Sequence, residues 1–275
     1  MKKLSENTIK TIICEYQKGD SLRYITKKHD IGLGSVHKYI TEAGIIRKHN
    51  IIEKILTKDE QIIGLYIGLW MGDGTQYPDK GYRIKICGNK RDLLLNKFIQ
   101  DNIYTLFGKK TRLYTVSSTN QAYIIYKSKF IYNYIYNYIS QENKQKTYTV
   151  RLKRNVNLYS KKFLEGCLLG LILSDGYLKN KFCFNVISKR LSKNMTDILT
   201  LLGYHPKIYT HRRKIYGWKD LQMVTLNVEE SHKLNLFLDK VLKELKCAYS
   251  FQELKYEPAE IRTPDLMMAE YHPIE

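Results

Sequence analysis

The sequence carries one glycine-rich pattern twice, as GLYIGLWMGDG at 64–74 and as GCLLGLILSDG at 166–176. The small residues and the Asp-Gly pair of the first copy recur in the second, 102 positions later. A second match follows in the same order, with LFGKKTRLYT at 106–115 and LLGYHPKIYT at 201–210. A period of about 100 residues is too long for a solenoid, whose repeats span about 20–50 residues. The pattern therefore indicates that one half-domain has been duplicated and fused.

Both copies are predicted to be buried helices that pack against each other. Thr57 with Glu60 forms an expected capping box before the first apolar run, and Ser160 is the expected cap of the second. Nearly every residue between cap and Asp-Gly is apolar, as in a helix buried on all sides. Glycine inside a helix costs about 1 kcal/mol relative to alanine, but small residues four apart permit close backbone approach. Since both helices carry this stripe, each is the simplest partner of the other, across a pseudo-twofold axis.

The two helices are expected to end at Asp73 and Asp175, with Gly74 and Gly176 in the left-handed conformation that terminates a helix. The pseudo-twofold would bring two carboxylates together at the negative ends of two helix dipoles. At about 4 Å and an effective dielectric near 20, their repulsion is about 4 kcal/mol. A single Asp-Gly pair is usually only a helix stop, but two in matching register favour a site for Mg²⁺. Such a cation would activate water and stabilise a leaving oxygen in phosphodiester hydrolysis.

The composition of the chain indicates which kinds of binding partner are expected. The chain has 275 residues with 46 Lys and Arg against 27 Asp and Glu, a net charge of +19 that favours a polyanionic partner. No membrane partner is expected, because the longest apolar stretch, 62–72, is too short to span a bilayer and MKKLSENTIK has no secretory core. Five scattered cysteines without CxxC spacing favour reduced thiols in a reducing compartment, the cytoplasm or an organelle matrix, and argue against structural zinc.

The two motifs resemble the signature helices of LAGLIDADG homing endonucleases in their single-chain, two-copy form, over about residues 55–246. The resemblance implies an α+β fold of duplicated αββαββα halves about a pseudo-twofold axis, with two saddle-shaped sheets along the DNA major groove. It also implies a monomer that uses Mg²⁺ to cut both strands of double-stranded DNA across the minor groove, leaving 3′ overhangs. Asp73 and Asp175 match the family's catalytic, metal-binding acids, and the main-chain carbonyls of Gly72 and Ser174 are candidate further ligands.

The resemblance further implies a lysine beside each acid, after the closing helix of each half. In the first half NKQKTYTV at 143–150 supplies Lys144 and Lys146, of which Lys146 is preferred. In the second half LKELKCAYS offers Lys246 by a loose alignment.

The N-terminal segment predicts a separate module. Residues 5–47 show three short helical patterns, with Ser21 and Ser35 as caps of the second and third and Gly44 ending the third. This resembles the helix-turn-helix of resolvase-type DNA-binding domains, whose third helix enters the major groove. The resemblance implies that the residues facing DNA are Ser35, His37, Lys38 and Thr41. The alternative is a small three-helix packing module with solvated lysines.

Four segments follow from these patterns: a helix-turn-helix module and linker at 1–50, the two halves at 51–150 and 151–250, and a disordered tail at 251–275. The last 19 residues of the tail have a net charge of −4, which leaves +23 on residues 1–256. In the halves, strands are expected at 82–88, within 111–128, and at FCFNVIS, KIYTHRR and LQMVTLNV; helices are expected at 91–108, 128–140, 189–202 and 229–245. Polar and basic strand residues that could contact phosphates and base edges are Arg83, Lys85, Arg112, Lys127, Lys181, Asn185, Lys207, His211, Arg212, Arg213 and Gln222.

Three functions remain open at this level. The first is a site-specific DNA endonuclease, the second an RNA-binding maturase that assists intron splicing, and the third a non-cleaving regulator. The acids retained in both motifs favour cleavage, because neither RNA binding nor operator binding requires them.

Overall fold

The computed structural model describes residues 4–18, 20, 22–44, 54–142, 146–212 and 219–256. The chain divides into two compact units, one within residues 1–52 and the other within 53–275.

The first unit consists of three helices, α1 (Glu6–Lys18), α2 (Leu22–His29) and α3 (Leu33–Glu42). Its core contains Ile12 of α1, Ile25 of α2 and Val36 of α3, so each helix contributes to it. Gly44, with φ of +64°, lies just beyond the end of α3.

The expected cap of α3 is wrong. The helix begins at Leu33 after Gly32, which makes no side-chain cap, so Ser35 lies inside the first turn. Ser21, the expected cap of α2, lies outside the described residues.

The second unit contains two halves with the same order of elements. The first half runs through α4 (Glu60–Asp73), β1 (Gly74–Tyr77), β2 (Arg83–Asn89), α5 (Leu93–Phe107), β3 (Arg112–Thr115), β4 (Gln121–Lys127) and α6 (Lys129–Ile135). The connection consists of β5 (Ile139–Ser140), α7 (Lys146–Thr149) and β6 (Arg151–Leu152). The second half runs through α8 (Lys161–Asp175), β7 (Gly176–Tyr177), β8 (Cys183–Val186), α9 (Lys189–Leu201), β9 (Lys207–His211), β10 (Leu221–Thr225) and α10 (Val228–Glu244), and α11 (Phe251–Tyr256) follows it. The expected αββαββα order is confirmed in both halves.

Each half has a four-stranded antiparallel sheet with the same topology. The strand order is β1-β2-β4-β3 in the first half and β7-β8-β10-β9 in the second. One face of each sheet packs on the core through alternate residues, including Ile84 and Ile124 in the first half and Phe184 and Val224 in the second. Because side chains alternate along a strand, the residues between these positions point away from the core.

Helices α4 and α8 lie side by side in the same direction, with reciprocal backbone contacts. A Cβ atom added at Gly64 would lie 2.9 Å from the amide nitrogen of Cys167, and one added at Gly166 would lie 2.8 Å from that of Leu65. These two contacts exchange under the 102-residue offset, which confirms the pseudo-twofold axis. The glycines are therefore required because backbone packs directly on backbone, and both helix C-termini meet at the same end.

The helix starts are partly as predicted. Ser160 caps α8 by accepting a hydrogen bond from the amide of Phe163 at 3.1 Å. For α4 the expected capping box is wrong, because Asp59 is the cap and accepts from the amide of Gln61 at 2.9 Å. Thr57 instead accepts from the amide of Asp59 at 3.0 Å.

The expected left-handed glycines are also wrong. Gly74 and Gly176 have φ of −77° and −83°, so the chain passes directly from helix into an extended strand. A side chain is excluded there for a different reason, since a Cβ atom at Gly74 would lie 2.5 Å from Cδ1 of Trp70 and one at Gly176 2.7 Å from Cα of Ile172.

Two further elements differ from expectation. The closing helix expected at 128–140 ends at Ile135, and the chain then enters β5. The expected tail begins too early, because Phe251–Tyr256 is helical and the side chains of Phe251 and Leu254 are buried in the core. Residues 257–275 lie outside the described residues. Within the described part of the chain, no helix combines the length and the apolar character needed to cross a bilayer.

Candidate active site

The paired ends of α4 and α8 bring Asp73 and Asp175 to one place. A Cβ atom added at Gly72 would lie 3.1 Å from Oδ2 of Asp175, so the second carboxylate reaches across to the first helix. The pKa of Asp73 is raised to about 6. Burial is the larger cause, and the charge of Asp175 is the second. Asp175 is exposed to solvent, yet desolvation by the surrounding protein still raises the pKa of its carboxyl. The site therefore holds two carboxylates whose ionised forms are disfavoured.

Lys146 lies at the end of α4, beside both acids. Its Nζ atom donates hydrogen bonds to the carbonyl oxygens of Gly72 at 2.5 Å and Gly74 at 2.6 Å. Burial lowers its pKa to about 8, although the charges of Asp175 and Asp73 act in the opposite direction. Lys146 belongs to α7, which packs against α9 of the second half. Lys144, the other candidate, lies outside the described residues.

The lysine at the end of α8 is Lys255, which the sequence reasoning missed. Its Nζ atom donates to the carbonyl oxygens of Leu173 and, at 3.0 Å, Ser174. Burial lowers its pKa, against the charges of Asp73, Asp175 and Asp92. It belongs to α11, which packs against α5 of the first half. Each lysine thus follows its own half and is carried by a helix that docks on the other.

The prediction of Lys246 at this site is wrong. Lys246 lines a cavity together with Asp59 and Ile62, at the start of α4 and therefore at the opposite end from Asp73. Once the helix ends are known from the structure, the two lysines occupy matching positions. Lys146 comes 11 residues after the end of α6, and Lys255 comes 11 residues after the end of α10.

The donor set at this end suits a hard divalent cation. Two carboxylates are present with the main-chain carbonyls of Gly72 and Ser174 beside them, and Mg²⁺ usually takes one or two carboxylates and keeps several waters. A cation would also reduce the cost of holding two desolvated carboxylates together. No group of three or more His, Cys, Asp or Glu side chains in the described ranges is placed to hold a metal. A cation would therefore need oxygen ligands beyond the two side chains. Water can supply them, whereas the carbonyls of Gly72 and Ser174 already accept hydrogen bonds from Lys146 and Lys255 and could contribute only through their second lone pairs.

The outer face of the first sheet leads to this site. Cross-strand pairing places Arg83 opposite Lys127, and Lys85 and Arg112 both opposite Ile125, so all four basic residues share the face turned away from the core. The ammonium of Lys85 lies 3.2 Å from the ring centroid of Tyr123.

A cavity of about 360 Å³ extends from this face to Asp73, one of the two paired acids. It is lined by Asp73, Lys255, Lys85 and Tyr123, among others. The cavity therefore links the basic face of the first sheet to Asp73.

The second sheet presents a smaller polar face. Asn185, Lys207 and His211 are exposed and share the outer face through their pairing with β10. Gln222 does not belong to this face, since it is 5% exposed, pairs with Val186 on the core side and accepts a hydrogen bond from Thr210. Polarity alone places Gln222 on the outer face, whereas the alternation of side chains along β10 places it on the core side.

The other predicted DNA contacts vary in placement. Lys181 and Arg212 lie outside the strands and are exposed, whereas Arg213 lies outside the described residues.

In the first unit, His37, Lys38 and Thr41 lie on the exposed side of α3, whereas Ser35 is half-buried. The hydroxyl of Thr41 donates to the carbonyl of His37 at 2.8 Å, and Lys38 pairs with Glu42 at 3.7 Å. These contacts are local to α3, and the contact of these residues with DNA stays a prediction.

No protein-family model matches the sequence, and no curated protein matches it. Among solved structures, the chain is similar to I-DmoI in complex with DNA and Ca, with a TM-score of 0.48 and 17% identity over 66% of this chain and 91% of that chain. It is also similar to the N-terminal LAGLIDADG domain of DUF199/WhiA, with a TM-score of 0.46 and 12% identity over 70% of this chain and 88% of that chain. Full-length DUF199/WhiA from Thermatoga maritima gives a TM-score of 0.44 and 10% identity over 70% of this chain and 63% of that chain.

The element order of the second unit, its duplicated sheets and its paired glycine-rich helices are the features that the signature motifs predicted. The second unit of this chain therefore has the duplicated αββαββα fold that the resemblance to LAGLIDADG proteins implies.

Proposed function

We propose that this protein is a site-specific double-strand DNA endonuclease that hydrolyses phosphodiester bonds with a divalent cation, Mg²⁺ by preference. The observation that carries the proposal is the meeting of Asp73 and Asp175 at the paired ends of α4 and α8, each end with its own lysine. A protein with only a structural use for these helices would not need two desolvated carboxylates there. Such perturbed groups in a basic cleft are typical of catalytic sites.

Double-stranded DNA is the substrate that fits the charge and the symmetry. A net charge of +19 favours a polyanion, and basic and polar residues follow the outer faces of both sheets. The pseudo-twofold relates the two halves as the two strands of a duplex are related, so each half would serve one strand. One chain supplies both halves, and we therefore expect a monomer to be sufficient.

The residues would divide the work in each half as follows. Asp73 and Asp175 would hold the cation together with water, and the carbonyls of Gly72 and Ser174 would add to them through the lone pairs that Lys146 and Lys255 leave unused. When bound, Mg²⁺ would supply Lewis-acid stabilisation of the phosphodiester and lower the pKa of an attacking water. Near pH 8 the Nζ atom of Lys146, whose pKa is lowered to about 8, is neutral in part of the molecules and can accept a proton from water.

The test is cleavage of a random-sequence duplex library in Mg²⁺, followed by sequencing of the cut products to recover the site and its overhangs. Wild-type protein should cut both strands of the recovered site and leave 3′ overhangs. Asp73→Asn and Asp175→Asn should each bind that duplex with little change and fail to cut it. Asp79→Asn is the matched control, because Asp79 is exposed in a turn outside the site. Normal cutting by both site variants would refute the metal assignment.

Two other functions are outcomes of the same experiments. A non-cleaving DNA-binding regulator would bind a selected duplex and leave it intact at every Mg²⁺ concentration. An intron maturase would bind its own intron RNA more tightly than any duplex and would keep that activity in Asp73→Asn. Asp73 and Asp175 favour the nuclease over the regulator and the maturase. Neither of these alternatives needs a pair of carboxylates whose ionisation is unfavourable.

A further inference from the structure

One of the positions at which the two halves differ carries a side chain that contacts a site lysine. Trp70 lies three residues before Asp73, and the matching position before Asp175 is Ile172. Both side chains are fully buried. The ammonium of Lys146 lies 5.0 Å from the centre of the Trp70 ring, within the distance at which a cation is attracted to an indole face.

The same indole also supports a backbone group that binds the lysine. A Cβ atom at Gly74 would lie 2.5 Å from Cδ1 of Trp70, so the chain after the helix rests on the ring. The carbonyl of Gly74 accepts one of the hydrogen bonds of Lys146. Trp70 therefore contacts both partners of that bond.

Packing alone does not explain an indole at this position. Nε1 of Trp70 is buried and has no hydrogen-bond partner in the described residues, which is unfavourable for a buried N–H group. In the other half Ile172 fills the matching position without any polar atom. The contact with Lys146 is the evident compensation for burying that unpaired N–H group.

We propose that Trp70 is a positioning residue for Lys146, and that it makes the two half-sites chemically unequal. The indole face and the carbonyls of Gly72 and Gly74 together hold the ammonium of Lys146 in place. Lys255 is held by the carbonyls of Leu173 and Ser174, and the position that matches Trp70 in this half is the aliphatic Ile172. The inference rests on the proposed function, since it concerns the rate at which each strand is cut.

The kinetic test converts the first half-site to the side chain of the second with Trp70→Ile. Single-turnover cleavage is followed with each strand labelled separately, on the duplex recovered from the library. We expect one strand to be cut about tenfold more slowly and the other at the wild-type rate, with unchanged DNA affinity. Trp70→Phe keeps an aromatic face and should restore most of the rate, and Ile172→Val, a core truncation in the other half, should not slow that strand.

Equal slowing of both strands by Trp70→Ile, or no rescue by Trp70→Phe, would overturn the proposal. The melting temperature of each variant is measured alongside, and rates are compared at a temperature at which all variants are folded. Failure of the proposed function looks different, because in that case the wild-type protein cuts neither strand.

A second readout needs neither DNA nor metal. The chain has two tryptophans, so in a Trp218→Phe background the fluorescence comes from Trp70. Replacement of Lys146 by Met removes the cation over the ring and should change the emission of Trp70, whereas Lys255→Met should leave it unchanged. Identical emission spectra for the Lys146→Met variant and its parent would refute the contact itself, whatever the activity of the protein.

Discussion

Replacement of Asp73 by Asn should stabilise the folded protein at alkaline pH and abolish the proposed cleavage. Asp73 ends α4 beside Asp175, and burial followed by the charge of Asp175 raises the pKa of its carboxyl to about 6 from an ordinary value of 3.8. The ionised carboxylate is therefore less favourable in the folded chain than in the unfolded one. Asparagine has nearly the same shape and carries no charge.

The size and sign of the effect follow from the two pKa values. A rise from 3.8 to about 6, at about 1.4 kcal/mol for each factor of ten, corresponds to about 3 kcal/mol. Because the folded-state pKa is raised, the stabilising contribution of the protonated group is complete below pH 3.8 and is lost as the pH rises through 6. The difference in free energy of unfolding between Asp73→Asn and wild type should thus grow from near zero at pH 4 to about 3 kcal/mol at pH 8.

The assay is urea unfolding followed by circular dichroism in EDTA, at a series of pH values between 4 and 8. Asp79→Asn serves as the control and should stay within about 0.5 kcal/mol of wild type throughout, because Asp79 is exposed. Added Mg²⁺ should stabilise the wild type more than Asp73→Asn, since only the wild type offers both carboxylates. If Asp73→Asn is no more stable than wild type at pH 8 without metal, the pKa of Asp73 is not raised by burial and by Asp175 in the folded state.

Other outcomes can be checked with single substitutions or with salt. Gly68→Ala should destabilise the protein by about 1–3 kcal/mol in urea unfolding. A Cβ atom there would lie 2.9 Å from the amide of Leu171 and still closer to the carbonyl of Cys167. The control Gly34→Ala should be neutral or stabilising, because Gly34 is helical and its Cβ atom would have nothing within 4 Å. Lys255→Met should slow cutting of one strand at least tenfold in a strand-resolved assay while Lys246→Met stays near wild type, and the reverse result would contradict the placement of both lysines. DNA affinity measured across a salt series should fall steeply with salt, and a flat response would contradict a charge-driven footprint.

The assignment of the lysines shows where sequence reasoning stopped. Lys146 was reached through the family resemblance, and the structure places it against the carbonyls of Gly72 and Gly74. For the second half, alignment of the two copies predicts Lys246, directly after the closing helix, where the two sequences differ in length and composition. The chain continues past that point, turns and returns as α11, whose Lys255 reaches the site across the pseudo-twofold. Which lysine arrives is decided by the path of the connecting segment, and local pattern does not encode that path.

The sheet contacts show a second limit. Alternation along β2 and β4 separates core residues from outer residues clearly, because the buried positions are apolar. Gln222 breaks this rule, since a polar residue occupies a core-side position and is satisfied in part by Thr210. Composition alone therefore assigned it to the wrong face.

From the sequence alone came the duplication, the buried pair of helices and the acid at the end of each, because glycines four apart and a repeated Asp-Gly are local and periodic signals. Only the tertiary structure decided that Gly74 and Gly176 are extended and crowded by Trp70 and Ile172, and that a lysine from each half is delivered by a helix docked on the other. The glycines are extended because each helix leads directly into a strand. The lysines arrive through contacts between residues far apart in the chain, 74 positions for Lys146 and Gly72 and 81 for Lys255 and Ser174, which no local periodicity specifies.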